Sequence, residues 1–257
     1  MEISLGYVIP TLGVRIGSFK RTTNSILAST MVVRCVVVAP KDKLQILRRA
    51  LPKDKRLVFI ADPGMGLPSA INLGFSKLPV VDYWNWCADD DQIVSLNIER
   101  LASGLSTKSK GLIGIGSCKI IDKNEKALGI NVAHYLKVNL ISYSSNLISQ
   151  CACLFDYKAT INLGNLDENL KLAFDQKFIQ QLLEHGEYFL SKEVTGVYEW
   201  DADTLSNLNR RESLMESYLI RLEFQKSNSG KLIVKILRPI TTLISHTGNR
   251  YLKLRTS

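Results

Sequence analysis

The stretch Tyr83-Trp84-Asn85-Trp86-Cys87-Ala88-Asp89-Asp90-Asp91-Gln92-Ile93 joins an apolar, aromatic segment directly to three consecutive carboxylates. Adjacent carboxylates repel one another and are costly to desolvate, so a cluster of them at a strand end is usually matched by a cation. Hard divalent ions such as Mg²⁺ and Mn²⁺ take oxygen ligands, commonly one or two carboxylates plus substrate phosphate oxygens. A plainer reading is available: Asp91 precedes Ile93-Val94, and acidic residues suit the start of a helix. What surrounds the triplet decides between the two.

Upstream of it, strand and helix patterns alternate. Ile3–Ile9 is an apolar run ended by Pro10, and residues 18–30 have helical spacing. Val32–Val38 is a β-branched strand, followed by a basic helix near Asp42–Ala50. Leu57–Ile60 is a short third strand. Gly64-Met65-Gly66 turns into a helix ending near Lys77, Val80–Cys87 is the fourth strand, and Ile93–Leu105 is helical. Four such alternations predict an α/β fold, a single mostly parallel central sheet with helices on both faces. Ligands of such sheets bind outside the carboxyl ends of the strands. Three of those ends are polar here: Pro10-Thr11, Ala61-Asp62-Pro63 and the aspartates.

Further along, Gly111–Ile121, Leu147–Phe155 and Tyr188–Val197 are strand-like, while His134–Ser145 has no clear period. A helix is expected from Asn169 to His185, with Leu170, Phe174, Phe178 and Leu182 on one face and Gly186 as its stop. The chain thus divides into a regularly alternating half (1–105), a less regular half (106–209) and an appendage (210–257).

The order of motifs resembles family 2 glycosyltransferases: Val8-Ile9-Pro10-Thr11, Gly66-x-x-x-Ala70-x-Asn72-x-Gly74, the tryptophan strand into Asp89-Asp90-Asp91, and Leu166-Asp167-Glu168-Asn169-Leu170 with Phe174-Asp175-Gln176. The resemblance covers roughly residues 3–206. It implies a GT-A fold and inverting sugar transfer from a nucleoside-diphosphate donor, UDP- or dTDP-linked, to a saccharide or lipid-linked saccharide, as in bacterial capsule or O-antigen synthesis. Pro10, Thr11 and Arg15 would line the nucleotide pocket, with Asp62 near the base or ribose. Gly66 and Asn72 would lie on the helix facing that pocket. The aspartates would form an Asp-x-Asp element holding Mn²⁺ or Mg²⁺. Its register is open between Asp89/Asp91 and Asp90/Asp91; Asp91 and Asp90 are favoured for the metal, and Asp89 and Asp90 also for the donor. Asp175 takes the place of the catalytic base, with Asp167 and Glu168 as neighbouring candidates. Two departures stand out. No base-reading Asp follows the second strand (Val38-Ala39-Pro40-Lys41-Asp42), and Asp201 stands where the family often has His.

Charge adds a partner. Of the formal +9, residues 210–257 carry ten Lys/Arg against three Asp/Glu. Leu214, Met215, Tyr218, Leu219 and Leu222 form an apolar stripe there. This tail suggests either attachment to an anionic membrane surface or a helix docked on the core. Basic residues confined to a tail, without interleaved aromatics, argue against nucleic acid as a partner despite a pI near 9.3. A nucleotidyltransferase shares the layout, but Thr11–Arg21 lacks a clear Gly-rich basic loop. The odd cysteine count (35, 87, 118, 151, 153) without a Cys-x-x-Cys pair suits buried thiols in a reducing cytoplasm. The three histidines are scattered (134, 185, 246), which disfavours zinc. The start Met-Glu-Ile-Ser-Leu-Gly reads as a strand rather than a signal peptide, and no apolar run is long enough to span a bilayer. A cytoplasmic enzyme, peripheral at the inner membrane face, is the expectation.

Overall fold

The computed structural model describes residues 2–144, 147–201 and 204–256. Its first half follows the predicted alternation: β1 (Leu5–Pro10), α1 (Ile16–Leu27), β2 (Val32–Ala39), α2 (Leu44–Ala50), β3 (Leu57–Ala61), α3 (Leu67–Phe75) and β4 (Tyr83–Trp86). A two-residue strand, β5 (Gln92–Ile93), then precedes α4 (Ser95–Ser106). The second half comprises β6 (Gly111–Ile121), β7 (Ala127–Asn131), α5 (Tyr135–Leu140), β8 (Cys153–Asp156), α6 (Tyr157–Leu163), α7 (Phe174–His185) and β9 (Glu187–Glu199). Three more helices follow: α8 (Leu205–Leu208), α9 (Arg210–Phe224) and α10 (Asn228–Thr256).

Among the described residues nine strands form one sheet in the order β3-β2-β1-β4-β8-β6-β9-β5, with β7 added beside β6. β3, β2, β1 and β4 run parallel; β8 is antiparallel to both its neighbours, and β6 and β9 are parallel again. Period-two alternation sends side chains to two separate cores. On one face Val8, Val36, Val38, Trp84 and Trp86 pack with α3 and α7. On the other, Leu5, Tyr7, Ile9, Cys35 and Val37 pack with α1, α2 and α4. Helices therefore cover both faces of a mixed α/β sheet, as anticipated.

β4 is short but central. It pairs with β1 from Leu5↔Tyr83 to Val8↔Trp86 and with β8 at Tyr83↔Asp156 and Trp84↔Phe155. Its two tryptophans sit in an aromatic cluster, Trp86 stacking on Phe155 at 5.4 Å and approaching Phe174 and Phe178. Trp84 satisfies its indole N–H on the Thr160 hydroxyl at 2.7 Å, which makes full burial of so large a ring tolerable. All five cysteines are free and buried.

The irregular second half departs from expectation in three places. Leu147–Phe155 is not one strand: residues 150–152 form a single 3₁₀ turn before β8. The unplaced 134–145 stretch contains α5, capped by His134 Nδ1, which accepts from the Leu136 N–H; Ser145 lies outside the described residues. The helix expected from Asn169 begins only at Phe174, because the preceding amides of Lys171, Leu172 and Ala173 donate to the Glu216 carboxylate.

In the tail, α9 packs against α7, and α10 packs against α9. The predicted apolar stripe is not the buried side of α9. Met215 and Leu219 are exposed, whereas Ser217, Ile220 and Arg221 are buried. Neighbouring polar acceptors explain this. Arg221 donates to the carbonyls of Ser217 and Tyr143 and to the Thr241 hydroxyl, while Ser217 donates to Gln176 Oε1.

Gly74 sets the distance between α3 and the sheet. A β-carbon there would lie 2.3 Å from Val8 Cγ1 and 3.0 Å from Val38 Cγ2. Gly74→Ala should lower stability in denaturant melts by about 1–3 kcal/mol, overpacking outweighing alanine's helix preference. Stability equal to or above that of the parent would contradict this packing.

Candidate active site at the switch point of the sheet

From β1 the chain goes outward to β2 and β3, then returns to place β4 on the opposite side of β1. The carboxyl ends of β1 and β4 therefore flank the point where strand order reverses, the usual ligand crevice of an open α/β sheet. Thr11 follows β1, and Asp89 follows β4 by three residues; the Thr11 hydroxyl donates to Asp89 Oδ2 across that gap. The same hydroxyl accepts from the Gly13 N–H at 2.9 Å, fixing a tight turn with Gly13 at φ +71°.

That turn delivers Arg15, which precedes α1. Its guanidinium spans two aspartates, Nη2 donating to Asp89 Oδ1 at 2.6 Å and Nη1 to Asp90 Oδ2 at 2.5 Å. α1 also carries Thr22, whose hydroxyl donates to the Asp91 carbonyl, and Arg21, which pairs with Glu199 at 2.9 Å. Glu199 ends β9, where antiparallel pairing with β5 brings its N–H to Asp91 Oδ1. The aspartate turn is thus held by β1, β4, β5, β9 and α1 together.

All three aspartates are buried, at 4%, 6% and 6% exposure. Four carboxylates, with Glu199 included, face only two guanidiniums. Burial adds to this at Asp90 and Asp91 and raises their proton affinities. Burial pushes Asp90 up to about 6, against the lowering influence of Arg15. Burial and the neighbouring Asp90 push Asp91 well above the usual carboxylate range. Asp91 carries no ion pair of its own among the described contacts; its carboxyl meets a backbone amide.

The other predicted residues have different surroundings. Pro10 is buried as the last residue of β1. Asp62 follows β3, two strands away, and its Oδ1 accepts from Gly64 N–H in a local turn. Gly66, at φ +107°, opens α3 beside the exposed Met65. Asn72 points elsewhere: its amide donates to the Leu166 carbonyl and Glu168 Oε1 and accepts from the Leu166 N–H. With both side-chain amide protons and one acceptor site engaged, Asn72 ties α3 to the loop leading to α7. Asp175 is half-buried in the first turn of α7, where Phe174 packs against Trp86 of β4. The Asp201 carbonyl accepts from Asn207; Ala202 and Asp203 lie outside the described residues.

Four contributors escape a sequence reading. Arg21 and Glu199 are separated by 178 positions, so only the fold pairs them. Glu216, within the tail, accepts from three successive amides just ahead of α7 and so fixes the entry to the helix bearing Asp175. Lys177 completes that brace by joining Asp167 to Glu223, each at 3.0 Å.

By sequence the chain matches no protein-family model, and no curated protein matches it. In three dimensions it is similar to Staphylococcus aureus TarS. Against the TarS 1–349 fragment the TM-score is 0.60 at 15% identity, covering 90% of this chain and 69% of that one. Against the same fragment in complex with UDP-GlcNAc the TM-score is 0.61 at 14% identity, covering 90% and 70%. Against the longer TarS structure it is 0.60 at 14% identity, covering 89% of this chain and 41% of that one. At these identities the likeness is one of fold.

The charge excess has a measurable sign. A carboxyl that titrates at about 6 when folded and near ~4 when unfolded holds more protons in the folded state between those values. Its contribution therefore falls as pH rises from about 4 to 6 and stays low above that. In metal-free protein Asp90→Asn should gain about 1–3 kcal/mol over the parent at pH 8, the gap closing toward pH 4. Melting curves of both proteins across pH check this; a variant less stable at pH 8 would contradict it.

Proposed function

We propose that the chain is a metal-dependent inverting glycosyltransferase of the GT-A type, resembling family 2. It would take a UDP- or dTDP-linked sugar and transfer it to a saccharide or lipid-linked saccharide in bacterial surface polysaccharide assembly. The observation that carries this is the buried aspartate turn at the sheet's switch point, with more carboxylate than cationic charge. A likeness in fold to TarS, whose structures include complexes with UDP and UDP-GlcNAc, supports the same reading.

The residues fit a hard divalent ion. Asp91 and Asp90 offer oxygen donors in an anionic recess, and phosphate oxygens of the donor would complete the shell. Among the described residues no group of three or more ligating side chains exists, so the remaining ligands would have to come from substrate phosphates. When bound, Mn²⁺ or Mg²⁺ would supply Lewis acidity that stabilises the departing diphosphate.

The remaining work falls to the chain. Thr11 and Asp89 would position the donor. Arg15, on a side chain 43% exposed, can exchange carboxylate for phosphate oxygens. Asp62 would approach the nucleotide's base or ribose from β3, with Pro10 and Gly66 shaping the pocket walls. Asp175 would accept the proton of an acceptor hydroxyl as that oxygen bonds the anomeric carbon. The bond from that carbon to the diphosphate breaks on the opposite face, which inverts the centre. Asn72 and Glu216 hold the loop and helix on which Asp175 stands.

A screen of labelled nucleotide sugars with Mn²⁺, scored by hydrolysis and transfer, tests the assignment. Asp175→Asn should keep nucleotide affinity within about threefold yet lose roughly 10²–10⁴ in transfer rate; full activity in this variant would remove the base assignment. Glu216→Gln, which weakens charge-assisted bonds to three amides, should cost about 1–3 kcal/mol of stability and lower kcat more than it raises KM. Unchanged stability and turnover would show that the brace has no bearing on Asp175.

A further inference from the structure

The last helix turns an apolar side away from the protein. Along α10, Val234 and Thr241 are buried against the rest of the fold. Leu232, Ile236, Ile240, Leu243 and Ile244 are each more than half exposed. At 100° per residue these five fall within an arc of about 120°, on the side away from Val234 and Thr241. One border of the arc carries the exposed Lys231 and Lys235. The whole helix, Asn228–Thr256, contains six Lys/Arg and no Asp or Glu. Contiguous apolar surface of this kind is rare on a monomer unless something covers it.

We propose that α10 is a membrane-surface helix, its outward arc set among the acyl chains of an anionic bilayer with its flanking lysines on the phosphate headgroups. Charge selects the occupant. A second copy of the same helix would bring two cation-only surfaces together, whereas anionic lipid supplies the missing countercharge. Among the described residues no helix is long and apolar enough to cross a membrane, so α10 lies along the surface, about 40 Å in length. This goes beyond the sugar-transfer reading and does not depend on it. If both hold, α10 reaches the candidate base through α9, whose Glu216 anchors the start of α7.

The test is co-sedimentation of the full chain with large unilamellar vesicles, of phosphatidylcholine alone or mixed with phosphatidylglycerol, at about 0.1 M salt. The parent should bind the anionic vesicles at least tenfold more tightly than the neutral ones. Ile236→Asp/Ile240→Asp/Leu243→Asp should lose at least tenfold of that binding while melting at the parent temperature, since the three side chains are exposed. Lys231→Glu/Lys235→Glu should lose the preference for anionic lipid. Vesicle binding absent in the parent, or unchanged in the triple aspartate variant, overturns the proposal. So does a parent dimer in light scattering that the triple variant converts to monomer while neither binds vesicles, because a second copy would then cover the face.

Discussion

Four buried carboxylates, three of them paired to two arginines and the fourth, Asp91, meeting only a backbone amide, form the constraint around which this fold is arranged. Isolated ions at such depth would each cost several kcal/mol, so Asp89 and Asp90 persist only because Arg15 bridges them and Thr11 donates to Asp89. Glu199 is balanced by Arg21. Asp91 is left with a backbone amide and a proton affinity well above the ordinary carboxylate range. Such an arrangement is poor for stability, and the proposed cation and polyphosphate would relieve it together. Its location follows from topology, because strand order reverses at the β1–β4 pair.

The half of the chain that was legible is the half whose elements are set by local pattern. β1 to β4 and α1 to α4 follow from β-branched runs, Gly and Pro punctuation and helical spacing, and observed limits shift by only a few residues. Thr11, Arg15 and the aspartates converge because they follow strands that lie side by side. Beyond residue 106 the determinants are non-local. Residues 169–173 have helical spacing, but the amides of Lys171, Leu172 and Ala173 are taken by Glu216 from α9, and those of Asn169 and Leu170 by Asp167. Asn72 sits in a motif that suggested a nucleotide contact, yet its amide is occupied by Leu166 and Glu168, 94 and 96 positions away. Arg21–Glu199 is equally invisible without the β5–β9 pairing.

The C-terminal helices show how composition alone can mislead about which face is inside. In α9 the buried side chains are Ser217, Ile220 and Arg221, because the surface they meet presents carbonyls and an amide oxygen rather than hydrocarbon. A fully buried guanidinium is tolerated when its N–H groups find such acceptors. In α10 the reverse occurs, with aliphatic side chains outermost. Both alternatives weighed for the tail therefore have a counterpart: α9 docks on the core, and α10 offers an outward apolar face.

What the aspartate turn does when a nucleotide and a metal arrive is decisive. A crystal structure of the protein soaked with UDP and Mn²⁺ reads this directly. The expected result is a metal on Asp91 or Asp90 bridging to the diphosphate, with the Arg15 guanidinium moved from Asp90 onto a phosphate oxygen. A soaked crystal in which Arg15 still spans Asp89 and Asp90, and nucleotide and metal bind elsewhere or not at all, would contradict it.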